Sequence, residues 1–395
     1  MKEIRKVLSL IDKYELYPDT RVASSADVPE TIIDNRKVVS FCSNNYLGLA
    51  SCDNVKAAVI NSVSRYGTGA GGSRLLSGNF DVHNQLEQTI ARFKKEESAI
   101  TFSAGFMANL GVVSAVLDLL PLIPRNPFCG SGIILSDELN HASIIDACRF
   151  SNAKVVVYNH SDMDHLESFL RKYRRNRKMI VTDGVFSMDG DIAPLDKIYA
   201  LSKKYNSMVL VDDAHSTGIL GDNGRGTSEH FNLPQDESLI TMGTFSKSLG
   251  AVGGFIAGNK DLIRYLRVAS RPYMFSAAMP PATAAGLIAA FNEMESRPEL
   301  RLLLWKNANM LRDGLRKRGF DTLGSATPII PVLIGDENRA IMVAKKLFEN
   351  GYFAPCVRWP AVKKNKAIIR FTVMSLHTTV QIESLLDTFS DIASN

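Results

Sequence analysis

Residues 179–215 read MIVTDGVFSMDGDIAPLDKIYALSKKYNSMVLVDDAH and contain two short apolar runs separated by an amphipathic segment. The runs Met179–Thr182 and Met208–Val211 are nearly continuous in apolar residues, which is typical of strands covered on both faces. The segment Leu195–Tyr205 between them has helical periodicity. This order of strand, helix and strand predicts two parallel strands joined by a crossover helix.

The same alternation extends in both directions from this unit. We expect further strands at Ala99–Phe102, Ile133–Leu135, Lys154–Tyr158, Leu239–Met242 and Gly254–Ala257. Helical stretches lie at Asn54–Tyr66, Asn109–Leu119, His141–Phe150 and Met163–Tyr173. The pattern predicts an α/β fold whose large domain is a mostly parallel sheet flanked by helices.

The pattern changes after Pro280-Pro281, where long helical stretches replace the regular alternation. Helical periodicity runs from Ala282 to Arg318 with a break near Pro298, and it is followed by two apolar runs, Ile329–Ile334 and Ile368–Val373, on either side of a helical segment. This arrangement predicts a smaller α+β C-terminal domain. We expect an N-terminal segment at 1–52, a large cofactor-binding domain at 53–285 and a small domain at 286–395.

Composition favours a soluble globular protein. The chain has 395 residues, of which 45% are hydrophobic and 22% charged, and its net charge of +5 is weak for this length. The basic run Arg171–Lys178 could bind nucleic acid, but its shortness favours a solvated helix end. The five cysteines form no CxxC pair, and there is neither an N-terminal signal pattern nor an apolar window long enough for a membrane span. We expect a cytoplasmic protein without nucleic-acid partner, membrane anchor or bound metal.

Polar residues follow five of the predicted strands. Ligands of open α/β sheets bind beyond the carboxyl ends of the strands, so these segments should meet in one site. Together they contain two imidazoles, several carboxylates and hydroxyls, and one lysine. The segments are Ser103–Phe106, Ser136–His141, Asp183–Gly190, Asp212–Gly218 and Gly243–Gly250.

Lys247 and Asp212 are the candidates with the clearest chemistry. Small residues surround Lys247, so a bulky ligand could approach it closely, and a desolvated lysine there would be nucleophilic toward a carbonyl. A carboxylate at a buried strand end such as Asp212 needs a partner, and a protonated pyridine nitrogen is one. The pair Asp212 and His215 by itself could equally bind a metal or be a satisfied core pair. Similarly, His141 could cap a helix or stack on an aromatic cofactor.

Two glycine-containing segments allow more than one interpretation. Gly105-Phe106 at a helix start could bind phosphate through backbone N–H groups, or it could be a plain strand-to-helix turn. The segment Gly67–Gly72 has the G-x-G-x-x-G pattern of dinucleotide sites. It follows a helical stretch instead of a strand, however, so we expect a loop near the active site.

The chain resembles the α-oxoamine synthase family of fold-type I pyridoxal-phosphate enzymes from about Phe41 to about His377. The matching blocks, in family order, are Ser43–Leu49, Gly67–Arg74, Asn140–Ile144, Asp183–Gly190, Val211–His215, Gly243–Lys247 and Arg271–Ser276. The resemblance implies pyridoxal 5'-phosphate as cofactor. It also implies a reaction that joins an amino acid to the thioester of acyl-CoA or an acyl carrier protein, with loss of CO2 in most members, to give an amino ketone.

The resemblance also implies roles around the cofactor ring. Lys247 would carry the cofactor as a Schiff base and act as general base. Asp212 would pair with the pyridine nitrogen, His215 would contact the phenolic oxygen, and His141 would stack on the ring. Ser187 would lie near cofactor and substrate.

The remaining implied roles concern the phosphate and the substrate. Gly105, Phe106, Thr244 and Ser246 would hold the phosphate, joined by Ser276 from the partner subunit, because family active sites lie at a homodimer interface. The substrate carboxylate would be bound by Asn44, Arg370 and Arg358, of which Arg358 matches an arginine of one branch only.

The family blocks leave the substrate open. They are shared by three branches, of which we expect the branch of biotin synthesis that uses alanine and a pimeloyl thioester. The alternatives are the branch of sphingolipid synthesis that uses serine and palmitoyl-CoA and a branch that uses glycine and acetyl-CoA. A pyridoxal-phosphate aminotransferase or lyase on the same fold is a further alternative. Two departures bear on the acyl entrance: a stretch at 119–132 that looks longer than usual, and Trp359 and Lys363 where prolines are common.

Overall fold

A computed structural model of the chain describes residues 1–13, 20–117, 119 and 132–394. Its strands are β1 Glu30–Ile33, β2 Arg36–Ser40, β3 Ser98–Phe102, β4 Ile133–Asp137, β5 Lys154–Tyr158, β6 Lys178–Asp183, β7 Met208–Asp212, β8 Leu239–Thr244, β9 Gly254–Gly258, β10 Ile329–Gly335, β11 Tyr352–Phe353, β12 Cys356–Val357 and β13 Ala367–Thr372. Its helices are α1 Lys2–Lys13, α2 Asp53–Tyr66, α3 Asp81–Lys94, α4 Gly105–Leu117, α5 Ala142–Phe150, α6 Met163–Lys172, α7 Leu195–Lys204, α8 Thr227–His230, α9 Lys260–Ala269, α10 Arg271–Phe275, α11 Pro281–Ser296, α12 Glu299–Lys317, α13 Glu337–Glu349 and α14 Thr379–Ser394.

A seven-stranded sheet forms the centre of the described chain, in the order β3-β9-β8-β7-β6-β4-β5. The strands β8, β7, β6, β4 and β5 are parallel neighbours, whereas β9 is antiparallel to both β8 and β3. All the strands except β9 therefore run in one direction, and the prediction of a mostly parallel α/β sheet is confirmed.

Helices cover both faces of this sheet because alternate strand residues point to opposite sides. In β6, Met179 and Val181 belong to a core shared with α4, α5 and α9, whereas Ile180 belongs to a core shared with α6 and α7. A third core joins the sheet to α3 and α11. The near-continuous apolar character of the strands is explained by this burial on both faces.

The C-terminal part has its own antiparallel sheet, in the order β10-β13-β12, and a core formed with α12, α13 and α14. The N-terminal strands β1 and β2 join this part, since β2 pairs in parallel with β11. The domain borders remain a prediction. The border at 285/286 would cut α11, whose Leu287 and Phe291 pack in one core with Leu86 of α3, so a border after α11 fits the packing better.

Other predictions concern segments outside the main sheet. Of the stretch 119–132, only residues 119 and 132 lie within the described part of the chain. The basic run is an exposed helix end followed by β6, and only Lys178 in it is buried. Among the described helices, none is both long enough and apolar enough to cross a membrane. The four cysteines that the structure describes, Cys42, Cys52, Cys148 and Cys356, form no disulfide bond with one another.

Candidate active site

The five predicted strand ends meet at one edge of the sheet, because the strands that precede them run in the same direction. A cavity of about 140 Å³ lies there. It is lined by Gly105, Phe106, His141, Ser143, Asp183, Ser187, Asp212, Ala214, His215, Met242, Thr244, Ser246 and Lys247. Every predicted cofactor residue except Ser276 is among them.

Asp212 ends β7 and is buried at the base of this cavity. Its Oδ2 accepts a hydrogen bond from Asn109 Nδ2 at 2.7 Å, and its Oδ1 accepts one from the backbone N–H of Ala214 at 2.9 Å. Burial raises the pKa of the Asp212 carboxyl, although these two hydrogen bonds oppose the shift. Within the described chain no cation forms a salt bridge with Asp212, so a protonated pyridine nitrogen would supply the partner that this carboxylate lacks.

Asn109 is a residue of the site that sequence reasoning missed. It is fully buried in α4, and its Nδ2 also donates to Ser143 Oγ at 2.9 Å. The signal was present, because the other buried residues of α4 are Ala, Gly, Val and Leu. A lone amide on such a face needs a polar partner, and here the partner is Asp212.

His215 is held by a second residue that sequence reasoning did not single out. The Tyr46 hydroxyl lies 2.6 Å from His215 Nδ1, and both side chains are buried. Burial lowers the pKa of His215 well below its usual value, and the charges of Lys247 and Arg370 lower it further. Burial also raises the pKa of Tyr46, so Tyr46 keeps its proton. Asn44 Oδ1 lies 3.4 Å from the same hydroxyl, and we assign the hydroxyl proton to the shorter contact, with Nδ1. The neutral imidazole then carries its own proton on Nε2.

Lys247 lies in the loop after β8, half-buried against the cavity. Burial lowers the pKa of its ammonium group, the positive charge of Arg370 lowers it further, and the negative charge of Asp212 opposes both. A lysine with a lowered pKa is more often the free amine at neutral pH than an ordinary lysine. Lys247 is therefore suited to attack a carbonyl carbon.

His141 caps a helix, as one interpretation of its sequence position expects, and its stacking on a cofactor stays a prediction. It is the N-cap of α5, where Nδ1 accepts from the Ser143 N–H at 3.2 Å, and its ring also lines the cavity. Its backbone N–H donates to Asp183 Oδ2 at 2.7 Å. Asp183 was placed at a strand end by the sequence without a role of its own. Burial raises its pKa well above the usual value, as does the charge of Asp212, its register partner in β7.

The other end of the cavity is suited to an anion. Gly105 and Phe106 open α4, where the first N–H groups have no partner within the helix. Thr244 Oγ1 and Ser246 Oγ lie 3.0 Å apart on the opposite wall. A Cβ on Gly105 would lie 3.0 Å from Thr244 Oγ1, so the glycine keeps this space open. Ser276 does not line the cavity of its own chain, and its Oγ contacts Met107 Sδ at 3.8 Å.

Arg370 reaches the site from β13 of the C-terminal part. Its Nε donates to the Ser187 carbonyl at 2.7 Å, and its Nη2 lies 3.4 Å from Asn44 Oδ1, so the structure brings these three predicted residues together. No carboxylate of the described residues forms a salt bridge with Arg370, which leaves its charge for a substrate carboxylate. Arg358 follows β12 and does not line the cavity; Trp359 and Lys363 beyond it are exposed.

The donor set fits pyridoxal phosphate. A buried carboxylate suits its ring nitrogen, a lysine of lowered pKa suits its aldehyde, and hydroxyls with helix N–H groups suit its phosphate. A metal site has no comparable support, since the described residues contain no cluster of three or more histidine, cysteine or acidic side chains that could hold an ion.

Comparisons with known proteins agree with this geometry. The family described as aminotransferase class I and II matches residues 36–389. The chain is 45% identical to the 8-amino-7-oxononanoate synthase of Thermoanaerobacter pseudethanolicus over 98% of this chain and 96% of that protein. Among solved structures, a serine palmitoyltransferase from S. paucimobilis with bound PLP superposes with a TM-score of 0.90 at 33% identity, covering 100% of this chain and 97% of the other. An 8-amino-7-oxononanoate synthase from Francisella tularensis gives a TM-score of 0.76 at 30% identity, with 90% and 97% covered.

Proposed function

The chain belongs to the aminotransferase class I and II family, and on that premise we propose that it is a pyridoxal-phosphate-dependent α-oxoamine synthase. Its reaction is the decarboxylative condensation of a small L-amino acid with an acyl thioester to give an amino ketone. The substrates that we favour are alanine and a pimeloyl thioester, because full-length relatives at 42–45% identity are named 8-amino-7-oxononanoate synthase.

One observation carries this proposal: Lys247, Asp212 and His215, from the ends of β7 and β8, line a single cavity with the start of α4. These groups would hold the cofactor at its aldehyde, its ring nitrogen, its phenolic oxygen and its phosphate. Bound pyridoxal phosphate supplies an electron sink for the α-carbon of the amino acid. An ionised Asp212 keeps the sink effective by holding a proton on the ring nitrogen.

The protein's own groups perform the remaining tasks. Arg370 and Asn44 bind the amino acid carboxylate and so orient its α-carbon toward Lys247. Lys247 Nζ, with its lowered pKa, removes the α-proton and later returns one. His215 donates from Nε2, because Tyr46 occupies Nδ1. His141 would stack on the ring of the bound cofactor, and its own position is fixed by the cap of α5.

A homodimer in the cytoplasm is part of the same proposal. Large apolar side chains are exposed at Phe106, which lines the cavity, and at Leu75, Leu76, Val252 and Phe275. The loop that carries Leu75 and Leu76 is tied to the segment after Ser276, since the Ala278 N–H donates to the Gly72 carbonyl at 2.9 Å. A second copy that covers this face would bring its own Ser276 toward the phosphate end of the cavity.

The second candidate is condensation of serine with palmitoyl-CoA. It is favoured by one specific observation, the TM-score of 0.90 with serine palmitoyltransferase over the whole chain. The two candidate reactions differ in the amino acid, alanine or serine, and in the acyl chain, pimeloyl or palmitoyl.

The test is a thioester-cleavage assay on the purified protein with pyridoxal phosphate, crossing alanine, serine and glycine with pimeloyl-, palmitoyl- and acetyl-CoA. We expect CoA release without any keto-acid acceptor, fastest with alanine and pimeloyl-CoA. The Lys247→Ala variant should release none and should lose the visible absorbance that borohydride abolishes in the native protein.

Three results would redirect the proposal. Fastest release with serine and palmitoyl-CoA would select the second candidate. Amino-group transfer to a keto acid without thioester cleavage would identify an aminotransferase. A protein that takes up no pyridoxal phosphate would refute both candidates.

A further inference from the structure

His160 lies outside the cavity, in the turn between β5 and α6, and bridges two carboxylates. Its Nδ1 is 3.0 Å from Asp137 Oδ1, and its Nε2 is 2.9 Å from Asp191 Oδ2. Asp137 ends β4 and is almost fully buried, whereas Asp191 belongs to the loop after β6. The ring of His160 also stands edge-on against Phe186, with centroids 4.4 Å apart.

This geometry determines the charge of the imidazole. A carboxylate only accepts hydrogen bonds, and a neutral imidazole has a single N–H, so both contacts are satisfied only when both ring nitrogens are protonated. Burial alone would lower the pKa of His160, but the hydrogen bonds and charges of Asp137 and Asp191 outweigh it and raise the pKa to about 10. His160 is therefore a cation at neutral pH.

The loop held by this cation is the one that carries Ser187. We call residues 184–193 the Ser187 hairpin; its stem is closed by the antiparallel bridge between Val185 and Ile192. The Phe186 N–H donates to the Asp191 carbonyl at 3.1 Å, so the anchored residue Asp191 lies directly across from Phe186. On the other side of the hairpin, Thr327 Oγ1 donates to the Gly190 carbonyl at 2.9 Å.

The hairpin in turn positions the arginine of the substrate site. Arg370 Nε donates to the Ser187 carbonyl at 2.7 Å, and Ser187 is adjacent to Phe186, on which His160 packs. The contacts therefore form a chain from β4 through His160 and the hairpin to Arg370. Movement of the hairpin would change the direction in which the guanidinium points.

We propose that His160 is a positioning residue of the amino acid site. It holds the Ser187 hairpin in place, and the hairpin orients Arg370. The inference rests on the proposed function, because it takes Arg370 as the group that binds the substrate carboxylate. His160 thus influences the affinity for the amino acid, although it touches neither cofactor nor substrate.

Other charged groups near His160 belong to the same arrangement. The backbone N–H of His160 donates to Glu138 Oε1 at 3.3 Å. Burial raises the pKa of Asp189 in the hairpin, as does the charge of Asp191, and the charges of His160 and Lys363 only partly oppose this rise. The surroundings of His160 are thus mainly acidic. Deprotonation of His160 would leave Asp137 and Asp191 without their shared cation.

The experiment compares native protein, His160→Gln and Asp191→Asn, each loaded with pyridoxal phosphate. A glutamine has no charge and carries both of its N–H donors on one nitrogen, whereas His160 donates from two separate nitrogens, so the hairpin should loosen. We expect the KM for the amino acid to rise about ten-fold, as for a misplaced binding group, with little change in the KM for the thioester. Amide hydrogen exchange should accelerate within residues 184–193, in the apoprotein as well.

The matched control is His165→Gln. His165 lies five residues further along, and its ring contacts Asn159 and Phe169 instead of the hairpin. This variant should keep native kinetics and native exchange at 184–193. Should His160→Gln fail to fold, Asp191→Asn tests the same link, since it leaves the contact of His160 with buried Asp137 in place.

The possible failures can be told apart. If native protein binds no amino acid or cleaves no thioester, the proposed function fails. If native protein is active but both variants match His165→Gln in amino acid KM and in exchange, the role of His160 is refuted. Faster exchange spread over the whole chain without a change in amino acid KM would also refute it, because that pattern indicates a purely structural residue.

Discussion

Tyr46 and His215 are 169 residues apart in the chain, yet their contact decides which nitrogen of the imidazole faces the cavity. Burial lowers the pKa of His215, so the imidazole is hard to protonate. Burial also raises the pKa of Tyr46, so the hydroxyl is hard to deprotonate. The proton therefore stays on Tyr46 across the physiological range, and no titration of His215 should be visible in the activity. A single buried hydroxyl thus selects the tautomer on which the proposed chemistry depends.

The Tyr46→Phe variant tests this assignment. Without the hydroxyl, nothing favours the tautomer with its proton on Nε2, and we expect kcat to fall about ten-fold, the equivalent of one lost hydrogen bond. The measurement is steady-state thioester cleavage together with the absorbance of the bound cofactor.

Tyr66→Phe is the matched control for this variant. Tyr66 is partly exposed and donates its hydroxyl proton to Asp81 at 2.6 Å, away from the cavity. It should keep native kcat. An unchanged kcat in Tyr46→Phe would show that another group orients His215.

At the scale of elements, Asp213, which follows β7, connects helix α3 to the end of that strand. Lys94, the last residue of α3, lies 3.0 Å from Asp213 Oδ2, and the two side chains are 2% and 1% exposed. Lys94 Nζ also donates to Thr217 Oγ1, and Asp213 Oδ1 accepts from Thr227 Oγ1. Because nearly every polar atom of the pair has a partner, α3 and the loop after β7 are held together at the back of the cavity.

Removing one partner of this pair should destabilise the fold strongly. We expect Lys94→Met to lower the free energy of unfolding by about 3–5 kcal/mol, because it leaves the carboxylate of Asp213 buried without a cation. Urea unfolding measures the change, and the double variant Lys94→Met with Asp213→Asn should recover part of it.

The comparison is with an ion pair at the surface. Lys203 and Asp236 lie 2.7 Å apart, with side chains 53% and 13% exposed. Lys203→Met should change the free energy of unfolding by less than about 1 kcal/mol. If Lys94→Met had a similarly small effect, water or a neighbouring group would be compensating the buried charge.

At the scale of the whole molecule, the site is assembled from distant parts of one chain. Asn44 and Tyr46 come from the segment before α2, the strand ends come from the large domain, and Arg370 comes from β13 in the C-terminal part. The proposed dimer adds Ser276 of the partner. A change in how the C-terminal part packs on the seven-stranded sheet and its helices would thus change the position of Arg370 in the amino acid site.

The dimer can be tested on its exposed apolar face. Leu76 is 82% exposed and Phe275 is 67% exposed. We expect a charged residue at either position, Leu76→Glu or Phe275→Glu, to give monomers in analytical ultracentrifugation and to reduce cofactor retention, because Ser276 of the partner would be missing.

Val380→Glu serves as control, since Val380 is 73% exposed on α14 in the C-terminal part. It should remain dimeric and active. Native protein that sediments as a monomer with full activity would contradict both the dimer and the role of Ser276.

The sequence by itself determined the strands, the crossover helices and the residues at the strand ends. Local periodicity determines elements, and the shared direction of parallel strands determines which ends meet. The same reasoning collected Lys247, Asp212, His215 and His141 in one site. These inferences need no knowledge of how distant segments pack.

Only the tertiary structure decided which residues support that site. Tyr46 and His160 act through side-chain contacts between elements far apart in the chain, and no local pattern encodes such contacts. The charge of His160 is the clearest case, since it follows from two carboxylates on different loops. A hydrogen bond depends on distances of a few tenths of an ångström, which packing sets and periodicity does not.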